Sequence, residues 1–194
     1  MNWHDHRYLA TGSPRQQQAY AVLLQLGVWH TLRAYSPVLA GTIPLGIDTP
    51  TSDLDVICEV PDNEQPRFAA LLHRAYAHLA GYSLRHKSVR GQSSVVCGFE
   101  FGGFAVEVFG QGRPVRQQYA YRHLIVEHAL LQAGGAAWLE AVRALKLQGL
   151  KTEPAFAQLL QLPGDPYEAL LTLEGKSSEE LATYLASLSP QKQK

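Results

Sequence analysis

The chain has 194 residues, with 17 Lys plus Arg against 17 Asp plus Glu. Zero net charge removes the global positive field that a processive polymerase or a DNA-coating protein needs. With 46% hydrophobic and 18% charged residues it is a globular chain, long enough to bury a core without a metal or disulfide staple.

Two cysteines, Cys58 and Cys97, are too few for a disulfide scaffold, and their spacing is not a metal motif. The first residues carry no signal-peptide core, and no apolar run approaches the ~20 residues that span a bilayer. The expectation is a cytoplasmic protein with reduced thiols and no membrane partner. His4-Asp5-His6 reads as an exposed, flexible terminus.

Ser13-Pro14 pairs an N-cap with a first-turn proline and opens a helix. Val22, Leu23, Leu26, Trp29 and Leu32 extend it to about Arg33. Val38-Leu39-Ala40 predicts a short strand running into Gly41-Thr42. Pro44, Gly46 and Pro50 preclude a regular helix between Ile43 and Ser52. Leu54 to Val60 predicts a strand, and Pro66 begins a helix to about Leu79, with Gly81 as its C-terminal cap.

Strands follow at Tyr82 to Arg90 and Ser94 to Phe101. Gly102-Gly103 is a primed two-residue turn, which makes Phe104 to Phe109 antiparallel to the strand before it. After Gly110 the pattern turns helical: Gln117 to Leu131, Ala137 to Leu147, Pro154 to Leu162 and Ser178 to Leu188. Ser189 to Lys194 reads as a frayed tail. The class is α+β: residues 1–112 form an α/β core with a small mixed sheet, and residues 113–194 a helical extension that makes the C-terminal third.

Asp53-Leu54-Asp55 carries the chemistry. On a strand, residues i and i+2 share a face with Cα atoms ~7 Å apart. Two such carboxylates repel, and a cation offsets that cost. Mg²⁺, or Mn²⁺ in its place, prefers carboxylate oxygens and binds substrate phosphates. Two metal ions would be held best with a third acid, and Glu107 in Ala105-Val106-Glu107-Val108-Phe109 is the candidate. Its face relative to Asp53 and Asp55 stays open, because neither alternation of that strand is polar. Solvated acids at a strand edge remain the alternative for Asp53 and Asp55, and an outward-facing strand residue for Glu107.

Gly41-Thr42 adds a turn with free N–H groups and a hydroxyl, suited to a phosphate. The block from Gly41 to Val56, with Ser52 before the first acid, resembles the signature of the polymerase-β-type nucleotidyltransferase superfamily. Together with Val106 to Gln111, Ala120-Tyr121-Arg122-His123 and Lys151 to Ala157, it resembles a family of short bacterial proteins placed in that superfamily without a defined activity. The resemblance implies a nucleotidyltransferase-like fold. It also implies a nucleoside triphosphate donor, Asp53, Asp55 and Glu107 as catalytic and metal-holding residues, and Gly41, Thr42 and Ser52 at the phosphates. Arg122 and His123 become further substrate contacts. The acceptor hydroxyl belongs to a small molecule or a protein, since neutral charge argues against long nucleic acid.

Leu45 stands where many members of that superfamily carry Arg. That departure motivates a second reading, a non-catalytic nucleotide-binding or interaction module; a metal-dependent phosphohydrolase is a third. The basic residues from Arg85 to Arg122 set against the acidic stretch from Asp48 to Glu64 suit a site with a phosphate side and a metal side. His123 and Glu127, spaced i,i+4, read as a surface pair.

Overall fold

A computed structural model describes residues 1–188. The segment expected to fray, Ser189 to Lys194, lies outside the described residues. The chain forms two compact units, one of residues 1–44 and 51–121, the other of residues 45–50 and 122–194.

In the first unit five strands form one mixed sheet: β1 (Val38–Ala40), β2 (Leu54–Glu59), β3 (Ser83–Val89), β4 (Gln92–Phe101) and β5 (Phe104–Gln111). Their spatial order is β1-β2-β5-β4-β3. Only β2 and β5 pair in parallel; the other neighbours are antiparallel. Both residues of the β4–β5 turn, Gly102 and Gly103, have positive φ, which is what the primed hairpin requires. A Cβ on Gly102 would also lie 2.4 Å from Val22 Cγ2, so glycine lets a helix approach the turn.

That helix is α1 (Pro14–Gln25), opened by Ser13 and Gln16 in a capping box. It ends sooner than the apolar spacing predicts. Gly27 takes a left-handed conformation, and a separate short helix, α2 (Val28–Thr31), follows. Helix α3 spans Gln65–Tyr76 and is capped at Ala77, so Gly81 lies beyond its end and is not the cap. Ala19, Val22 and Leu23 of α1 and Phe68, Leu72 and Tyr76 of α3 bury one sheet face with Leu54, Val56, Cys58, Val95, Cys97, Val106 and Val108. Strand alternation sends these residues to the core and their odd-numbered neighbours on β2 and β5 to the opposite face.

The N-terminus is not a free tail. Asp5 caps a 3-10 helix over His6–Thr11 and pairs with Arg7 at 2.6 Å. His6 stacks on Trp29 at 4.2 Å between ring centroids, and Trp3 is buried. The apolar ring surfaces hold a segment that its polar residues alone would leave in water.

The second unit is helical. It contains most of α4 (Tyr119–Leu147), then α5 (Thr152–Leu159), α6 (Pro166–Leu171) and α7 (Ser178–Ser187). The two helices predicted on either side of Gly134-Gly135 run on as α4 with a break at Gly135, where φ is 64° and ψ is −157°. Helix α6 was not expected; Asp165 caps it and Pro166 starts it. The fold is α+β with a helical C-terminal third. Among the described residues no helix is long and apolar enough to cross a membrane.

Candidate active site

Asp55 and Glu107 are direct partners in the parallel β2–β5 ladder. Paired residues on adjacent strands send their side chains to the same side of a sheet. Both carboxylates therefore stand on the face opposite the α1–α3 core. Asp55 is half-buried and Glu107 exposed. The acid pair extends into a row across the sheet, Ala40–Asp55–Glu107–Gly98–Ser83. Its flanking positions are small.

Asp53 lies one residue before the ladder begins at Leu54. Its direction is not set by the pleat, in contrast to the strand geometry expected from Asp-x-Asp. Its charge nonetheless reaches Glu107. Partial desolvation of the Glu107 carboxyl raises its pKa above the ordinary carboxylate value. Lys87 pulls it down, the Asp53 charge pushes it up, and Arg85 pulls it down again.

Gly41 follows β1 directly, at a φ of +76°. A Cβ on it would sit 2.6 Å from Asp55 Oδ2. The bare glycine backbone and the Asp55 carboxylate thus share one small space, and any side chain would displace the acid. Thr42 donates its hydroxyl to Ser52 Oγ at 3.0 Å, which ties the turn after β1 to the residue before Asp53. The structure thereby gathers Gly41, Thr42, Ser52, Asp53, Asp55 and Glu107 within the sheet unit.

The donor set is all hard oxygen, the chemistry that Mg²⁺ or Mn²⁺ prefers. Asp55 and Glu107 side by side, with the Asp53 charge in range, suit such an ion. Among the described residues, however, no three His, Cys, Asp or Glu side chains converge as a ready group around one point. Fit to a metal is a matter of donor type and shared face, with side-chain rotation still required.

Arg122 and His123 belong to the helical unit and are engaged there. The Arg122 guanidinium binds Glu174 Oε2 through Nε at 2.9 Å and Nη2 at 2.6 Å. His123 Nε2 faces the Tyr167 carbonyl at 3.0 Å, and Nδ1 lies 3.5 Å from Glu153 Oε1. A carbonyl only accepts, so Nε2 carries the proton in that contact. His123 and Glu127 are not a surface pair: they are 5% and 3% exposed, and among the described residues Glu127 Oε1 has no hydrogen-bond partner. Burial, then the Glu153 charge, holds the Glu127 pKa well above the ordinary range, against Lys146. Leu124, Glu127, Leu130 and Leu131 lie three and four residues apart, so an acid inside an apolar stripe was the signal available in the sequence.

The model of the family described as Domain of unknown function (DUF4269) matches residues 21–173, most of the chain. The chain belongs to the DUF4269 family. No curated protein matches this DUF4269 chain by sequence. Solved structures share its fold, three of them as follows. Cid1, described with RNA terminal uridylyl transferase activity, aligns at a TM-score of 0.53 and 11% identity, over 88% of this chain and 54% of Cid1. The Cid1 poly(U) polymerase with Mg and 3′-dATP bound aligns at 0.53 and 13%, over 83% and 49%. A cytoplasmic RNA terminal U-transferase aligns at 0.50 and 14%, over 83% and 47%. The chain spans about half the length of these proteins. At such identity the likeness is one of fold, and the fold is nucleotidyltransferase-like.

Proposed function

We propose that the DUF4269 chain is a divalent-metal-dependent nucleotidyltransferase that moves a nucleoside monophosphate from a nucleoside triphosphate to a hydroxyl of a small molecule or protein. The observation that carries this is the same-face pairing of Asp55 and Glu107 beside the Gly41 turn, on a nucleotidyltransferase-like fold. Asp53, Asp55 and Glu107 would hold Mg²⁺, or Mn²⁺, as one or two ions. A bound ion would neutralise charge on the triphosphate and on the attacking and leaving oxygens.

The residues divide the remaining work. Gly41 offers a backbone with no side chain in the way, and the Thr42–Ser52 hydroxyl pair offers oxygen and hydrogen to the β- and γ-phosphates. Glu107, beside Asp55 on the same face, takes the proton of the acceptor hydroxyl. The hydroxyl oxygen bonds to the α-phosphorus, the bond from that phosphorus to the bridging oxygen breaks, and pyrophosphate leaves. Positioning and charge compensation supply most of the rate.

A second reading rests on Leu45. It is 7% exposed, an apolar position where an Arg would bury its charge. A chain lacking that cation could bind nucleotide without turning it over. Calorimetric titration of the four common ribonucleoside triphosphates with Mg²⁺, on wild type and on Asp53→Asn/Asp55→Asn, separates the cases when followed by a pyrophosphate-release assay. Binding and release in wild type, both lost in the variant, support transfer. Binding without release under every acceptor supplied favours the non-catalytic module.

A further inference from the structure

The strand order sorts the sheet face that carries the acids into two sides. Beyond β2 lies β1 with the Gly41 turn; beyond β5 lie β4 and then the edge strand β3. If the triphosphate lies over the Gly41 side, the acceptor must approach Glu107 from β4 and β3. What those strands present there follows from the register. Glu107 faces Gly98, and Gly98 faces Ser83. The next rows on this face are Ile57–Phe109–Val96–Arg85 and Glu59–Gln111–Ser94–Lys87. Arg85 and Lys87 therefore share the face of Asp55 and Glu107.

Both cations are exposed, and among the described residues neither lies within salt-bridge distance of a carboxylate. Arg85 makes a long hydrogen bond, from Nη2 to Ser83 Oγ at 3.4 Å. Two other basic residues of this stretch are engaged: Arg90 lies over the Tyr119 ring at 3.6 Å, and Arg122 holds Glu174. Charges on an edge strand also deter pairing with a second sheet. That purpose is served equally by either face, and His86 already stands on the other. It does not account for two exposed cations on the acid side, whose charges reach Glu107 without an ion pair closing on it.

We infer that the acceptor is a small phosphate-bearing molecule, seated between Glu107 and the edge strand β3 across Gly98, with its phosphate held by Arg85 and Lys87 and its hydroxyl directed at Glu107. This rests on the nucleotidyltransferase reading above. An Arg fork takes two phosphate oxygens and a Lys ammonium a third, which matches one dianion. Two cations on a neutral protein suit one phosphate; a long nucleic acid calls for an extended basic stripe.

The test uses the full chain, isotopically labelled, and inorganic phosphate as probe, titrated at low salt without metal or nucleotide and followed by NMR. Mg·ATP is titrated separately. Arg85→Gln/Lys87→Gln changes two exposed side chains, and Arg85→Lys/Lys87→Arg preserves the charge. The expected result is phosphate binding with shifts on β3 and β4, weakened about tenfold or more by the Gln pair and retained by the charge-preserving pair. Mg·ATP affinity should stay within about twofold in the Gln pair, since those contacts lie on the other side of the acids.

Phosphate binding that is absent in wild type, or unchanged in the Gln pair, overturns the inference. A parallel loss of Mg·ATP affinity also overturns it, because the cations would then hold the donor. Short single-stranded RNA that binds far more tightly than phosphate through the same two residues replaces the small acceptor with a polymer. If wild type binds phosphate through Arg85 and Lys87 but no Mg·ATP, the nucleotidyltransferase reading fails and the acceptor role falls with it. The phosphate contact would still stand as measured.

Discussion

Asp55 and Glu107 sit opposite one another on the sheet's one parallel pair of strands, with Gly41 close against the Asp55 carboxylate. Two acids far apart in the chain become neighbours on a single face because β5 inserts between β2 and β4. The Asp53 charge adds to the cost of ionising Glu107, and a cation relieves it. That arrangement yields the first test. Asp55→Asn and Glu107→Gln should each lower metal-dependent turnover by at least ~100-fold, the scale of losing one preorganised charge-stabilising group. Both are near-isosteric changes at solvent-accessible positions, so circular dichroism and the unfolding midpoint should hardly move. Wild-type pyrophosphate release in both variants would remove the acids from the mechanism.

Gly41→Ala is expected to do two things at once. Its φ of +76° costs an L-residue about 1–2 kcal/mol, and its new Cβ would collide with Asp55 Oδ2. Denaturant unfolding should report the first effect, and Mg²⁺ and nucleotide affinity the second. A variant that loses stability alone would show that Asp55 can move aside without consequence.

Glu127 predicts a pH dependence in the helical unit. Burial and then the Glu153 charge raise its folded pKa above the unfolded value. The folded state therefore binds the extra proton, and the stabilisation is fully present below the unfolded pKa of ~4.3 and lost as pH rises through the folded one. Glu127→Gln should remove this part of the decline and so gain on wild type as pH rises. Thermal unfolding of both proteins from about pH 4 to 9, spanning the ordinary carboxylate range and above, gives the comparison. Parallel curves would mean that Glu127 keeps the same protonation state folded and unfolded.

Phe68 is fully buried in the sheet unit, where α3 presses it toward Gly110 and Tyr35. Phe68→Ala should cost about 3–5 kcal/mol, the range for emptying a buried aromatic site. Chemical denaturation measures it directly. A loss under about 1 kcal/mol would show that the surrounding core collapses into the space.

Local patterns in the chain were enough for much of this molecule. The proline and capping serine before α1, the glycine pair of the β4–β5 turn and the apolar alternation of β2 and β5 are local signals, decided by φ/ψ preference and by which residues avoid water. The candidates Asp55 and Glu107 were legible for the same reason, as acids in apolar strands, and Asp53 through its Asp-x-Asp spacing, although it precedes β2. Helix α1 shows the limit of periodicity, since apolar spacing runs past Gly27 while the backbone does not. Ring stacking on Trp29 was likewise hidden, so His6 read as tail.

What only the tertiary structure decided was adjacency. Alternation along one strand cannot say which face of a neighbour it meets; that depends on strand order and register, which are set by long-range packing. The β2–β5 ladder put Glu107 beside Asp55, and the β3–β4 ladder brought Arg85 and Lys87 to the same face. Packing of the helical unit in turn buried Glu127, which spacing alone had left in water.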